Sequence, residues 1–164
     1  MLNIFLRIPG IQQVVRLVAA TRFVVEGESM SPYLKHGHYL LVDRLAYRLT
    51  TPSRGDVIVL RDHGQPGVDS VKRIVGQPDE HVQIDQERLL VNGQHLDEPY
   101  VGKNAAPETP SPSQWALNDH EYLVMGDNRK DSRDSRAFGP VTLSHIVGKV
   151  WIRYWPRNEW QKLG

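Results

Sequence analysis

A mainly β fold is predicted for this chain of 164 residues, and three observations predict it. From Tyr39 onward the apolar runs are short and rich in β-branched residues. Turn-forming residues bound those runs, which favours strands over helices. Asn92-Gly93 stands between Arg88-Leu89-Leu90-Val91 and Gln94-His95-Leu96, and that dipeptide accepts the positive φ angles of a type I′ hairpin turn. The length suits one domain with a substantial core and room for a small subdomain, not two large domains.

The N-terminal segment reads differently. Ile11, Val14, Val15 and Val18 fall at i, i+3, i+4, i+7 spacing, with Gln12, Gln13 and Arg16 on other faces; this is the pattern of an amphipathic helix. Arg7, Arg16 and Arg22 interrupt the apolar residues and Pro9-Gly10 breaks them, so the segment lacks the ~20 consecutive apolar residues that span a bilayer. A central Arg16 also fits a cleavable leader poorly. Residues 1–22 are therefore expected to remain in the mature protein, packed on the domain or lying in a membrane interface.

Candidate strands follow at residues 39–42, 56–60, 71–75, 81–84, 88–91, 122–125 and 148–154. Between Glu98 and Asn118 stand Pro99, Pro107, Pro110 and Pro112, which exclude a central strand or helix and predict an excursion at the surface. Near the C-terminus, Trp151 is expected in the core. Trp160, in a polar tail, is the candidate for a membrane interface. No internal repeat, low-complexity segment or long linker divides the chain.

Lys and Arg total 20 against 19 Asp and Glu, so no net field favours nucleic acid or a strongly charged substrate. There is no cysteine, which excludes disulfides, thiolate metal sites and a cysteine nucleophile. His36-x-His38 could chelate a metal from a strand, but no third ligand is evident. Neither metal nor cofactor is expected, and function must reside in a local site.

Gly27-Glu28-Ser29-Met30-Ser31-Pro32 sets a serine between a residue that permits close backbone approach and one that rigidifies the exit from the turn. Taken alone, such a serine is usually a turn residue. It is not a Gly-x-Ser-x-Gly elbow, because Ser31 takes the last glycine position and no α/β alternation surrounds it. A nucleophilic hydroxyl needs a base, either a histidine or a lysine deprotonated by desolvation. Lys72 lies in Asp69-Ser70-Val71-Lys72-Arg73-Ile74-Val75, where strand alternation puts it on the face of Ser70 and Ile74. Burial there would bring its pKa from ~10.4 towards ~7–8, at a cost of roughly 3–5 kcal/mol, and make it a general base near neutrality. An ordinary surface lysine beside an arginine is the plain alternative.

A third segment alternates acids and bases from Gly126-Asp127-Asn128-Arg129 through Ser132, Asp134-Ser135-Arg136 and Gly139-Pro140. It reads either as a solvated loop whose surface pairs contribute little or as a fixed polar wall beside a site.

Four fragments occur in order: Gly27-Glu28-Ser29-Met30-Ser31-Pro32, Gly55-Asp56-Val57-Ile58-Val59, Val71-Lys72-Arg73-Ile74-Val75-Gly76, and Gly126-Asp127-Asn128-Arg129 with Ser132, Asp134-Ser135-Arg136 and Gly139. Together they resemble type I signal peptidases over nearly the whole chain after about Phe23. The resemblance implies a β-rich catalytic core of the kind also found in LexA-like proteases, with a small inserted cap at about residues 77–121 of a catalytic domain 23–164. It implies that Ser29 attacks the scissile carbonyl while neutral Lys72 takes the hydroxyl proton and later protonates the leaving amine. Ser132 would orient the Lys72 amine, Asp134 and Arg136 would form a structural ion pair, and Asp127 and Asn128 would brace the start of the loop. By position, Val25, Met30, Leu34, Leu40, Val59 and Val71 would line shallow pockets for the small residues, typically Ala-x-Ala, that precede the cleaved bond.

The substrates implied are preprotein signal peptides, met at the membrane on its extracytoplasmic face. Two departures stand out. Some members carry a serine two residues before the nucleophile as an oxyanion donor; here that position is Gly27, so the Ser29 N–H and another group would serve. The family is also normally anchored by at least one N-terminal transmembrane segment; either the amphipathic segment, in contact with membrane lipid, or a partner subunit would substitute for it, or the substrate and location differ. Among rivals, a self-cleaving LexA-like protease would bring a DNA-binding segment, and none is readable. A Ser-His-Asp hydrolase would need one of seven histidines tied by motif to Ser29, and none is. A non-catalytic β-domain binding peptides or membrane predicts no covalent adduct at Ser29.

Overall fold

The computed structural model describes residues 20–61, 67–85, 88–102 and 114–163. The amphipathic helix expected over Ile11 to Val18 lies outside the described residues, as does the middle of the proline-rich stretch. The strands are β1 (Ala20–Val24), β2 (Tyr39–Asp43), β3 (Val57–Arg61), β4 (Asp69–Gly76), β5 (His81–Asp85), β6 (Arg88–Val91), β7 (Gln94–His95), β8 (Gln114–Ala116), β9 (Glu121–Met125), β10 (Val141–Thr142), β11 (Ile146–Trp155) and β12 (Gln161–Lys162). Among the described residues two four-residue α-helices accompany them, α1 (Ala46–Leu49) and α2 (Ser135–Phe138). The fold is mainly β, as the sequence predicts.

The larger sheet runs β1-β2-β11-β3-β4-β9-β10, with β12 added on β11, and the smaller runs β7-β6-β5-β8. Every pairing is antiparallel. β3 explains why its sequence is a continuous apolar run rather than an alternating one: both its faces are covered. Val57 and Val59 join Val25, Met30, Leu34, Leu40, Val42, Val71 and Val150 in one cluster. Ile58 and Leu60 join Ile74, Tyr122, Val124 and Val141 in another. In β5, by contrast, Val82 and Ile84 are buried and His81, Gln83 and Asp85 are exposed, the period of two of a strand with one covered face.

A third cluster joins the two sheets. Val75, Leu123 and Met125 from the larger pack on Val82, Ile84, Leu89 and Trp115, with Leu117. The sheets meet at Gly76, where a Cβ would lie 2.8 Å from Leu117 and from Val82. Asn92 (φ 51°) and Gly93 (φ 78°) make the hairpin turn in the left-handed region, as expected.

Two elements depart from the sequence reading. β1 begins at Ala20, after the helix expected over Ile11 to Val18 but inside the amphipathic segment 1–22, and pairs with β2 over five residues from Ala20 opposite Asp43 to Val24 opposite Tyr39. Its pattern is weak because none of its residues is fully buried. β8 forms within the stretch where prolines predict a surface excursion. It lies at the edge of the smaller sheet, the position that nearby prolines leave open, and it buries Trp115. Trp151 is half-buried and Trp160 is 62% exposed. Among the described residues, no helix is long and apolar enough to cross a membrane.

Candidate active site

Ser29 lies in the turn that follows β1. Val25 N–H donates to His38 O at 2.9 Å, Gly37 N–H to Val25 O at 2.9 Å, and Ser31 N–H to Glu28 O at 3.0 Å. Gly27 N–H donates to His36 Nδ1 at 3.2 Å. The turn is thus fixed by its own backbone before it meets any other element. From across the molecule, Asn128 donates its backbone N–H to Ser29 O at 3.0 Å and its side-chain Nδ2 to Glu28 O at 3.1 Å. The Glu28–Ser29 stretch is held from both sides.

Lys72 projects from β4, opposite Ile58 of β3. On the other side β9 pairs with β4 only from Arg73, opposite Met125, and Gly126 follows. A Cβ at Gly126 would strike Ser132 Oγ and the Ser29 carbonyl, so the missing side chain lets the serine turn and the loop close around the lysine. Lys72 is 3% exposed. Its Nζ lies 3.2 Å from Ser29 Oγ and donates to its neighbour's carbonyl, Val71 O, at 3.0 Å.

The loop from Gly126 to Arg136 buries Asp127, Arg129, Asp134 and Arg136 and leaves Lys130, Asp131 and Arg133 exposed. Asp134 accepts Gly126 N–H at 3.0 Å and Arg136 N–H at 3.2 Å. It also takes two guanidinium contacts from Arg136, at 2.8 and 2.9 Å, and Arg136 reaches back to Ser132 O at 3.3 Å. Asp134 thereby caps α2 and ties the start of the loop to its end. Ser135 Oγ accepts Val124 N–H at 2.9 Å. Ser132 Oγ is buried against Gly126 and has no hydrogen-bond partner among the described residues; a bond from it to the Lys72 amine is therefore absent from this arrangement.

Asp127 forms a bidentate pair with Arg73, at 2.9 and 2.7 Å. Arg73 also donates to Gly55 O at 2.8 Å, and its guanidinium lies 4.7 Å from the Tyr33 ring centroid and 4.0 Å from that of Tyr100. Burial alone would lower the Arg73 pKa, but the Asp127 bond and charge carry it above the ordinary value.

The six expected pocket residues, Val25, Met30, Leu34, Leu40, Val59 and Val71, are all buried in one core cluster. Only Val25 and Val71 also line the open cleft of about 530 Å³ beside Ser29, which is bounded by residues 22–26 of the β1 side and 67–71 of the β4 side. Met30, Leu34, Leu40 and Val59 do not line it. Sequence reasoning missed Arg73, Tyr33, Glu98, Tyr100 and Arg129 as parts of this site. The available signal was Arg73 itself, a charged residue inside a strand of otherwise apolar character.

An antiparallel β fold that brings a serine and a buried lysine together at an open cleft has the framework of a serine endopeptidase. The model of the family described as signal peptidase, peptidase S26, matches residues 1–155. Signal peptidase IB of Staphylococcus aureus (strain Mu50) is 35% identical over 156 residues, covering 86% of this chain and 81% of the relative. Signal peptidase I of Leptolyngbya laminosa is 35% identical over 157 residues, covering 90% and 74%. The crystal structure of a signal peptidase I from Enterococcus faecalis V583 superposes with a TM-score of 0.52 at 32% identity, over 61% of this chain and 97% of that one. The chain belongs to the signal peptidase family S26 and is a serine endopeptidase of the signal peptidase I type, a hydrolase that processes signal peptides.

Proposed function

We propose that Ser29 is the nucleophile and Lys72 the general base, and that cleavage follows a small-x-small, Ala-x-Ala type sequence. The observation that carries this is the 3.2 Å approach of Lys72 Nζ to Ser29 Oγ by a lysine that is 3% exposed. Burial strips the ammonium of hydration and favours the neutral amine. Its lone pair then accepts the Ser29 proton as Oγ bonds to the scissile carbonyl carbon. The carbonyl oxygen takes the negative charge, for which the Ser29 N–H is the proposed donor, beside the space left by Gly27. Collapse breaks the C–N bond, and the Lys72 ammonium gives its proton to the leaving amine. The same lysine then activates the water that hydrolyses the ester. In this reading Ser132 orients the amine once its hydroxyl, unbonded in the arrangement described above, turns to it; Asp134, Arg136, Asp127 and Asn128 hold the wall.

The substrate lies extended between β1 and β4. Among the described residues, no strand pairs the outer edge of β1, nor the edge of β4 at residues 69–72 that faces away from β3. A peptide strand added there gains main-chain hydrogen bonds whatever its sequence. Val25 and Val71 then read small side chains. Beside the β1 wall of the cleft, Tyr39 is paired with both Val24, which lines the cleft, and Trp155, and these three, with Trp160, are exposed. Such a group of apolar and aromatic residues suits the boundary of a lipid bilayer. The catalytic domain accordingly works against the membrane, on the extracytoplasmic face where preproteins emerge.

The test is to incubate the protein, in detergent, with a peptide bearing an Ala-x-Ala site and identify the products by mass. Cleavage after the second alanine is expected, with kcat/KM falling at least about 10²–10⁴-fold in Lys72→Ala and further in Ser29→Ala. The wild-type rate should rise with pH as the amine loses its proton. Full activity in Lys72→Ala would overturn the mechanism.

A further inference from the structure

The chain after the β6–β7 hairpin holds half-buried residues that the reaction above does not use. Leu96 N–H donates to Leu89 O at 2.8 Å, and a turn follows in which Val101 N–H donates to Glu98 O at 3.0 Å. The Glu98 carboxylate receives both terminal nitrogens of Arg129, one at 3.1 Å, and accepts the Tyr100 hydroxyl at 2.9 Å. Arg129 also donates Nε to Gly126 O at 3.0 Å. The Tyr100 ring stacks on Arg73, the residue next to Lys72, and Tyr33 takes the guanidinium as well. A Cβ on Gly102 would be in contact with Pro32, three residues after Ser29.

This short segment therefore touches the serine turn, the lysine strand and the charged loop, although it leaves the smaller sheet and carries no atom to the cleft. The Glu98 and Arg129 side chains are only 9% and 4% exposed. An ion pair buried so deeply gains little net stability over apolar packing, and its best-attested use is to fix a register. Burial, and after it the Glu98 charge, push the Tyr100 hydroxyl above its ordinary range, so it remains a neutral donor to that carboxylate while the enzyme works.

We propose that residues 98–100 are a positioning strap through which the smaller sheet sets the Ser29–Lys72 separation: Tyr100 acts through Arg73 on the lysine strand, and Glu98 acts through Arg129 on the Gly126 carbonyl. The proposal rests on the Ser29/Lys72 reading. Tyr100 holds the guanidinium by its ring face, so a flat apolar ring without a hydroxyl keeps most of the effect. Glu98 needs its charge.

The full chain in detergent is assayed on the Ala-x-Ala peptide well below each variant's unfolding midpoint, with Ser29→Ala and Lys72→Ala alongside. Tyr100→Leu is expected to lower kcat about tenfold or more, the scale of a sub-ångström misplacement, with KM within about twofold. Tyr100→Phe should recover most of that loss, and Glu98→Gln should fall between the two. Wild-type kcat in Tyr100→Leu, a rise in KM alone, or equal losses in the leucine and phenylalanine variants would overturn the strap. Should Tyr100→Leu fail to fold, near-isosteric Glu98→Gln decides: reduced kcat at constant KM supports the strap and wild-type kcat overturns it. Full cleavage by Ser29→Ala or Lys72→Ala would instead sink the dyad reading, and the strap with it.

Discussion

At Gly126 three segments come within a methyl group of one another. A Cβ there would collide with both Oγ and Cβ of Ser132 and with the Ser29 carbonyl, which Asn128 holds at 3.0 Å. Gly126→Ala must therefore push the Ser29 backbone. We expect a destabilisation of about 1–3 kcal/mol, the usual cost of overpacking, and a fall in kcat of roughly 10²-fold. Steady-state kinetics beside urea unfolding separate the two effects. A wild-type kcat in this variant would mean that the serine turn accommodates the methyl without moving Ser29. Ser29 and Lys72 are legible in the sequence through their surroundings, but Gly126 is not. Its importance comes from what lies across the strand pair, which no local pattern reports.

The loop ending in α2 is an element held by one carboxylate. Asp134 is fully buried and serves Gly126 N–H, Arg136 N–H and the Arg136 guanidinium. Asp134→Ala leaves a buried cation and two backbone donors without that partner, so a loss of about 3–5 kcal/mol is expected. A shift in denaturant midpoint below about 1 kcal/mol would show that water replaces the carboxylate. Sequence reasoning finds this loop because its charges are dense, and it finds the strands from β2 to β7, β9 and β11 because their apolar runs end in turn residues. β1 and β8 escape it for a physical reason. Both are edge strands whose hydrogen-bond partners are distant in sequence, and β1 buries no residue completely. The strap is hidden by composition: Glu98-Pro99-Tyr100 reads as polar loop, and its carboxylate and ring are buried only because Arg129 and Arg73 arrive from elsewhere.

Across the whole molecule, the exposed aromatic residues sit at the Tyr39–Trp155 end of the larger sheet, beside the β1 wall of the cleft. If that end meets lipid, Trp155→Ser combined with Trp160→Ser should weaken binding to phospholipid vesicles about tenfold, equivalent to about 1.4 kcal/mol. It should leave cleavage of a soluble peptide unchanged. Vesicle sedimentation and peptide kinetics on the same preparation check this, and unaltered sedimentation would place the lipid contact on another surface. The two unpaired edges that face each other across the cleft carry a further consequence. A groove that recognises a peptide by its main chain can accept only chain whose own amides and carbonyls are still uncommitted. A helical segment has spent them internally, and a strand inside a finished domain has given them to its neighbours. On the proposed reading, timing is then part of selectivity: Ala-x-Ala sequences within a folded secreted protein would be spared by their own secondary structure, and cleavage would fall on chain that has not yet begun to fold.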